Sequence, residues 1–208
     1  PKCSNMSLLE VGQGTEKIEQ ILKDQFSNYK VDRFDRDEIK TATQLEKKLE
    51  EFHSGKIDIL VGTQMLAKGH NFKKVNLVLI LGIDAQLNFP DFRANEKVYQ
   101  LLTQVSGRAG RFGQSSKVLI HTLNPEQDVF KYVKENSFNG LYEDELPLRE
   151  SLDMSPFTKL AMFYITSKNL KNLNSSSNQM AKNLMFLCEK HFQNTQILGP
   201  RPALIEKR

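Results

Sequence analysis

Apolar positions recur at helical spacing in the first third of the chain. Ile18, Ile21, Leu22 and Phe26 follow Gly14-Thr15-Glu16 and predict one helix. Leu45, Leu49 and Phe52 predict a second, opened by a capping box at Thr41-x-x-Gln44 and stopped by Gly55. A short strand is expected between them, at Val31 to Phe34. Ile57 to Val61 and Val75 to Ile83 are predominantly apolar rather than alternating, the pattern of parallel strands covered on both faces. A third helix, capped by Asp91, has core positions Val98, Leu101, Leu102 and Val105, and Lys117 to Ile120 is a further buried strand. Asn124-Pro125-x-Gln127 then opens another helix.

Strands alternating with helices of this length imply right-handed crossovers and an α/β class, a RecA-like or doubly wound lobe with a parallel sheet over residues 8–146. The pattern then weakens. Glu143-Asp144-Glu145 and the Pro147 to Pro156 stretch read as a solvated acidic linker, with a boundary near 146–156. Residues 147–208 are expected to be that linker and part of a small α+β C-terminal domain, with a strand at 160–167, a polar tract at Asn172 to Asn178 and an amphipathic helix at 179–192. This tail holds too little apolar material for a complete domain, so the chain is expected to be a piece of a longer protein.

At 208 residues, with a net charge of +4, the composition is that of a globular protein and only weakly favours a polyanionic partner. No apolar run approaches membrane-spanning length, and a soluble cytoplasmic protein without membrane association is expected. Two cysteines make no disulfide framework. Cys188 falls on an apolar helix face with Met180, Leu184 and Leu187 and is expected to be a buried thiol. Cys3 is either an unpaired cysteine or the second half of a C-x-x-C pair. The four histidines show no ligand spacing.

Chemistry concentrates in two stretches. In Gly62-Thr63-Gln64-Met65-Leu66-Ala67-Lys68-Gly69, a buried strand runs into a hydroxyl, free backbone N–H groups and a cation at the carboxyl edge of a sheet, where open α/β sheets bind ligands. An ordinary strand-to-helix turn has the same composition. In Gln104-Val105-Ser106-Gly107-Arg108-Ala109-Gly110-Arg111, two arginines separated by small residues project with little shielding. The planar, permanently charged guanidinium suits a transferring γ-phosphoryl group, although an arginine at a helix terminus also serves the dipole.

These stretches resemble motifs V and VI of superfamily 2 helicases. The fuller wording Gly62 to His70, with Phe34-Asp35-Arg36-Asp37, Asp91-Phe92-Arg93-Ala94, Ser155-Pro156-Phe157 and Leu198-Gly199-Pro200, is similar to the PriA family of replication-restart helicases. The resemblance implies an ATP-dependent 3′ to 5′ DNA helicase for primosome assembly and restart of stalled forks. It implies ATP with Mg2+ and Zn2+ as cofactors. Forked and single-stranded DNA, primosome proteins and single-stranded-DNA-binding protein are the implied partners.

By the same resemblance Arg108 and Arg111 are catalytic. Gln104, Gly69 and Asn71 serve the nucleotide, Thr63, Gln64 and Lys68 contact nucleic acid, and Cys3 is a zinc ligand ending an insertion over residues 1–7. No phosphate-binding G-x-x-x-x-G-K-[ST] loop occurs in the chain, and Asp144-Glu145-Leu146-Pro147 lacks the histidine of a D-E-x-H box, so this stretch of chain is expected to be inactive alone. Another superfamily 2 translocase, such as a RecG-like fork remodeller, and a non-catalytic nucleic-acid-binding module are the alternatives.

Overall fold

The computed structural model describes residues 14–35, 39, 41–64, 66, 75–109, 116–192 and 194–202, the side chains of 42, 108 and 109 excepted. The chain forms two compact units, residues 1–158 and 159–208.

The first unit opens with α1 (Thr15–Gln25), β1 (Val31–Phe34) and α2 (Ala42–His53). The Thr41 side chain accepts a hydrogen bond from the Gln44 backbone N–H at 3.3 Å, which satisfies one orphan donor of α2. At the other end Gly55 adopts φ +77°, and the Gly55 and Lys56 N–H groups bond back to Phe52 and Glu51. Only a residue tolerant of the left-handed region closes a helix this way.

β2 (Ile59–Gly62) pairs in parallel with β1, from Val31 opposite Ile59 to Phe34 opposite Gly62. β3 (Leu77–Ile80) pairs in parallel with β4 (Lys117–Ile120), from Leu77 opposite Lys117 to Ile80 opposite Ile120. The α/β class and the parallel pairing agree with the sequence pattern.

Between β3 and β4 run α3 (Ile83–Leu87) and α4 (Ala94–Ala109). The long apolar run therefore does not stay a strand. Gly82, at φ +70°, turns it into α3 and buries Ile83 completely. The expectation that these strands are covered on both faces also fails. Leu77 and Leu79 are 55% and 56% exposed and Leu119 is 52% exposed, while the alternate residues are half-buried. α4 covers one face, and nothing among the described residues covers the other.

α5 (Asp128–Glu135) and α6 (Phe138–Ser151) complete the unit. Asn124 to Gln127 forms a turn rather than the first turn of α5. The acidic stretch read as a solvated linker is helix α6, with Pro147 inside it. Tertiary contacts override the proline. The Ser137 side chain caps α6 by accepting from the Gly140 N–H at 3.2 Å, Leu141 is buried, and the Tyr132 hydroxyl donates to the Asp144 carboxylate. That bond to Asp144, with burial, pushes the Tyr132 phenol up to about 12.

Two apolar cores result. Val31, Phe34, Ile57 and Val61 form the first, around β1 and β2. Ile83, Val98, Tyr99, Leu102, Val129, Phe130, Tyr132 and Leu141 form the second, with α4 at its centre.

In the second unit, α7 (Leu170–His191) begins nine residues earlier than residue 179. The Asn169 side chain accepts from the N–H groups of Lys171 and Asn172 at 2.9 and 3.2 Å, which starts the helix through the Asn/Ser tract. No strand forms at 160–167. α7 buries no residue completely, so Cys188 is half-buried rather than buried. No described helix is long and apolar enough to cross a membrane.

Leu141→Ala should lower the unfolding free energy of the first unit by about 2–5 kcal/mol, the cost of emptying a packed leucine site. Urea denaturation of the 208-residue chain reads it. A loss below about 0.5 kcal/mol, typical of surface positions, would place α6 outside the core.

Candidate nucleotide and nucleic-acid interface

The register of β1 against β2 sets their carboxyl ends side by side, with Asp35 following one and Thr63-Gln64 following the other. Gly62 is needed here for space. A Cβ on it would lie 2.5 Å from the Phe34 carbonyl oxygen and 2.5 Å from Leu66 Cδ1, both closer than real Cβ atoms approach. The Leu66 N–H bonds the Thr63 carbonyl at 3.0 Å, so the chain turns at once and leaves Thr63 and Gln64 exposed at the rim.

Asp35 is only 4% exposed. It accepts from the Thr15 hydroxyl at 2.7 Å and lies 3.4 Å from Arg33 Nε, which in turn is 3.6 Å from Glu19. The carboxylate ties α1 to the end of β1, a structural use that rests on a hydroxyl 20 residues away in sequence.

The other candidate residues ride on α4. Val98, Tyr99 and Leu102 sink into the core, Gln104 is half-buried, and Ser106 and Gly107 are exposed near the helix end. A Cβ at Gly107 would meet nothing within 4 Å, so packing among the described residues does not require glycine there. Arg108 is the penultimate residue of α4, its side chain outside the described set. Cys3, Lys68, Gly69, Asn71 and Arg111 also lie outside the described residues, as do Arg36 and Asp37. Among the described residues no group of three or more His, Cys, Asp or Glu is placed to hold a metal.

The start of α4 is built on Asp91. Its carboxylate accepts from the Arg93 N–H at 2.9 Å and from Arg93 Nε and Nη2 at 3.0 Å each, and it pairs with Lys97 Nζ at 2.5 Å. Arg93 first, then Lys97, hold this carboxyl well below the usual aspartate range.

Asp84, which the sequence pattern did not single out, joins the ends of β3 and β4. It accepts from the Thr122 hydroxyl at 2.7 Å and the Leu123 N–H at 3.1 Å, and the Thr122 bond is the main cause of its lowered pKa. An acidic residue two positions after a glycine that ends an apolar run was the available signal.

Residues 4–113 match the family described as the helicase conserved C-terminal domain. The replication restart protein PriA of Haemophilus influenzae is 37% identical over 206 residues, 99% of this chain and 28% of that protein. PriA of Bacillus subtilis is 35% identical over 207 residues, 100% and 25% respectively. PriA of Chlamydia pneumoniae is 42% identical over 161 residues, 77% and 22%. The chain thus spans about a quarter of the length of the curated relatives it matches.

Two glycine substitutions should separate close approach from helix propensity. Gly62→Ala is expected to destabilise by about 1–3 kcal/mol because the backbone of β1 must yield. Gly107→Ala is expected to stabilise by about 0.5–1 kcal/mol, since alanine is the better helix former in open space. Urea midpoints measure both, and a reversal of the two signs contradicts the geometry.

The lowered Asp91 pKa gives a pH dependence of fixed sign. The unfolded chain takes up the proton first, so the stabilisation is complete above the ordinary value of 3.8 and is lost as pH falls through it toward the native value. Asp91→Asn should therefore lower stability at neutral pH and flatten the acid limb below about pH 4 in urea titrations. An acid limb of unchanged slope speaks against the pairing.

Proposed function

Because the chain belongs to the helicase conserved C-terminal domain family, we propose that it is the second motor lobe of an ATP-driven 3′ to 5′ DNA helicase acting in primosome assembly and the restart of stalled replication forks. The observation that carries this reading is the end of α4. A helix fixed by three buried side chains presents Ser106 and Gly107 to solvent directly before Arg108, and Gly107 is a glycine that its own surroundings do not demand.

In this reading ATP with Mg2+ binds on a partner lobe that carries the phosphate-binding loop, which this chain's sequence does not contain. Arg108 and Arg111 reach across the cleft to the γ-phosphate. There the planar fork of arginine neutralises charge that spreads over the phosphoryl oxygens as the bond to the leaving group breaks. Gln104, half-buried on the same helix, orients the end of the motif toward the nucleotide. Gly107 lets the helix backbone approach closely, where any Cβ would intrude. Gly69 and Asn71 couple nucleotide to DNA, and Thr63, Gln64 and Lys68 hold the DNA backbone beside the narrow turn that Gly62 permits. The 208 residues alone neither complete the nucleotide site nor hydrolyse ATP.

The partners in this reading are forked and single-stranded DNA, primosome proteins and single-stranded-DNA-binding protein, and the setting is the cytoplasm. Cys3 is a zinc ligand completed by cysteines outside this chain, because structural zinc takes four ligands. Metal analysis of the full-length protein checks it: zinc content should fall on Cys3→Ser.

The decisive experiment is DNA-stimulated ATP hydrolysis by the full-length protein. Arg111→Ala and Arg108→Ala should each depress turnover on the order of 10³-fold, with lysine restoring little, because a point charge does not reproduce the fork. Gly107→Ala should lose turnover while gaining stability, the reverse of what a structural glycine does. Near-normal hydrolysis in both arginine variants would overturn the reading.

A further inference from the structure

The strongest polar cluster outside the motif residues joins α6 to the first turn of α4. Arg149 Nη2 lies 3.3 Å from Glu96 Oε2 and closer still to Glu145 Oε2, and its Cζ stands 5.1 Å from the centre of the Phe92 ring. Arg93 approaches the same ring, its Cζ at 5.3 Å. The Arg149 and Glu145 side chains are 15% and 16% exposed, so this is a largely desolvated pair and not a surface one. One cation between two carboxylates keeps both from being buried with like charge alone, and the aromatic face takes part of its remaining surface.

Glu96 carries the cluster along α4. Its second oxygen, Oε1, accepts from Gln100 Nε2 at 3.2 Å. Residues four apart lie along one ridge of a helix, and the ridge that starts at Glu96 and Gln100 continues through Gln104 to Arg108. The ridge thus begins at a desolvated ion pair with α6 and ends in the residues assigned to the nucleotide. α6 lies outside the part of the chain that matches the helicase domain, residues 4–113. A contribution from beyond the matched domain therefore reaches the motif-bearing helix. Phe138, at the start of α6, supports the same contact, its ring 5.7 Å from that of Tyr99.

We propose that Arg149 is a positioning residue for turnover: by fixing Glu96 it sets the rotation of the Glu96–Gln100–Gln104–Arg108 ridge and so the approach of the end of α4 to the nucleotide. The proposal rests on the functional reading given above. Arg149 touches neither nucleotide nor DNA in it and acts only through α4.

The test uses the full-length protein and DNA-stimulated ATP hydrolysis, well below the melting temperature of every variant. Arg149→Met keeps an apolar stem and removes the charge. It should lower kcat about 2- to 30-fold, the range of coupling through residues that contact no ligand, while KM for ATP moves less than about twofold. Arg149→Lys should recover part of the loss, because a cation near Glu96 is what the ridge needs. Glu96→Gln keeps an oxygen for Gln100 and removes the ion pair. It should show the same split between kcat and KM, and it carries the test if the methionine variant fails to fold.

Unchanged kcat overturns the proposal. So does a loss that disappears when the assay temperature is lowered, since that marks a merely structural arginine, and so does a lysine variant no better than methionine. Arg111→Ala, assayed in parallel, keeps the two failures apart. If it abolishes turnover while Arg149→Met leaves kcat unchanged, only the positioning role falls. If it leaves turnover intact, the functional reading falls and this proposal with it.

Discussion

Everything that positions the candidate site in the second half of the lobe depends on how α4 is buried. Val98 and Leu102 have no exposed surface and Tyr99 almost none, so one face of the helix is fixed against β3, β4, α5 and α6 at once. Close-packed interiors resist changes of even one methylene, and a helix gripped this way is held to a narrow setting. Its polar ridge and its solvent-exposed end inherit that setting. The exposed Ser106-Gly107 pair is thus rigid without being buried, which is what a group meeting a ligand from outside the lobe requires.

The first core plays the matching part for the other candidate stretch. β1 and β2 are held in register by their ladder and closed underneath by Val31, Phe34, Ile57 and Val61. The close approach of Gly62 to the Phe34 carbonyl then makes the turn after β2 an extension of two strands rather than a loose loop. Thr63 and Gln64 are exposed, yet their backbone is placed by the strand beside them.

Elements whose signals are local were legible in the sequence. Thr41 and Gln44 announced the start of α2 and Gly55 its end, and the branched residues of β1, β2 and β4 announced strands. Elements that depend on distant partners were not. α6 carries Pro147 and four acidic residues and looks like a linker, because the contacts that hold it come from Tyr132 and α4. α3 hid inside an apolar run until Gly82 turned the chain. In the candidate site, Thr63, Gln64 and Gln104 were named from motif wording, and the class of the lobe was read from alternation. Asp84 and Arg149 were not, since their partners Thr122 and Glu96 stand 38 and 53 residues away.

Among the described residues the two cores of the first unit share no buried side chain, which bears on how the unit breathes. Contiguous cooperative groups open with their own free energies, and amide exchange reports each separately. Among the described residues, the half built on α1, β1, α2 and β2 holds four buried apolar side chains, and the half centred on α4 holds eight. Amides in β1 and β2 and amides in α4 can therefore exchange through separate openings. The rim that carries Thr63 and Gln64 belongs to the first of these groups, and the ridge that leads to Arg108 belongs to the second.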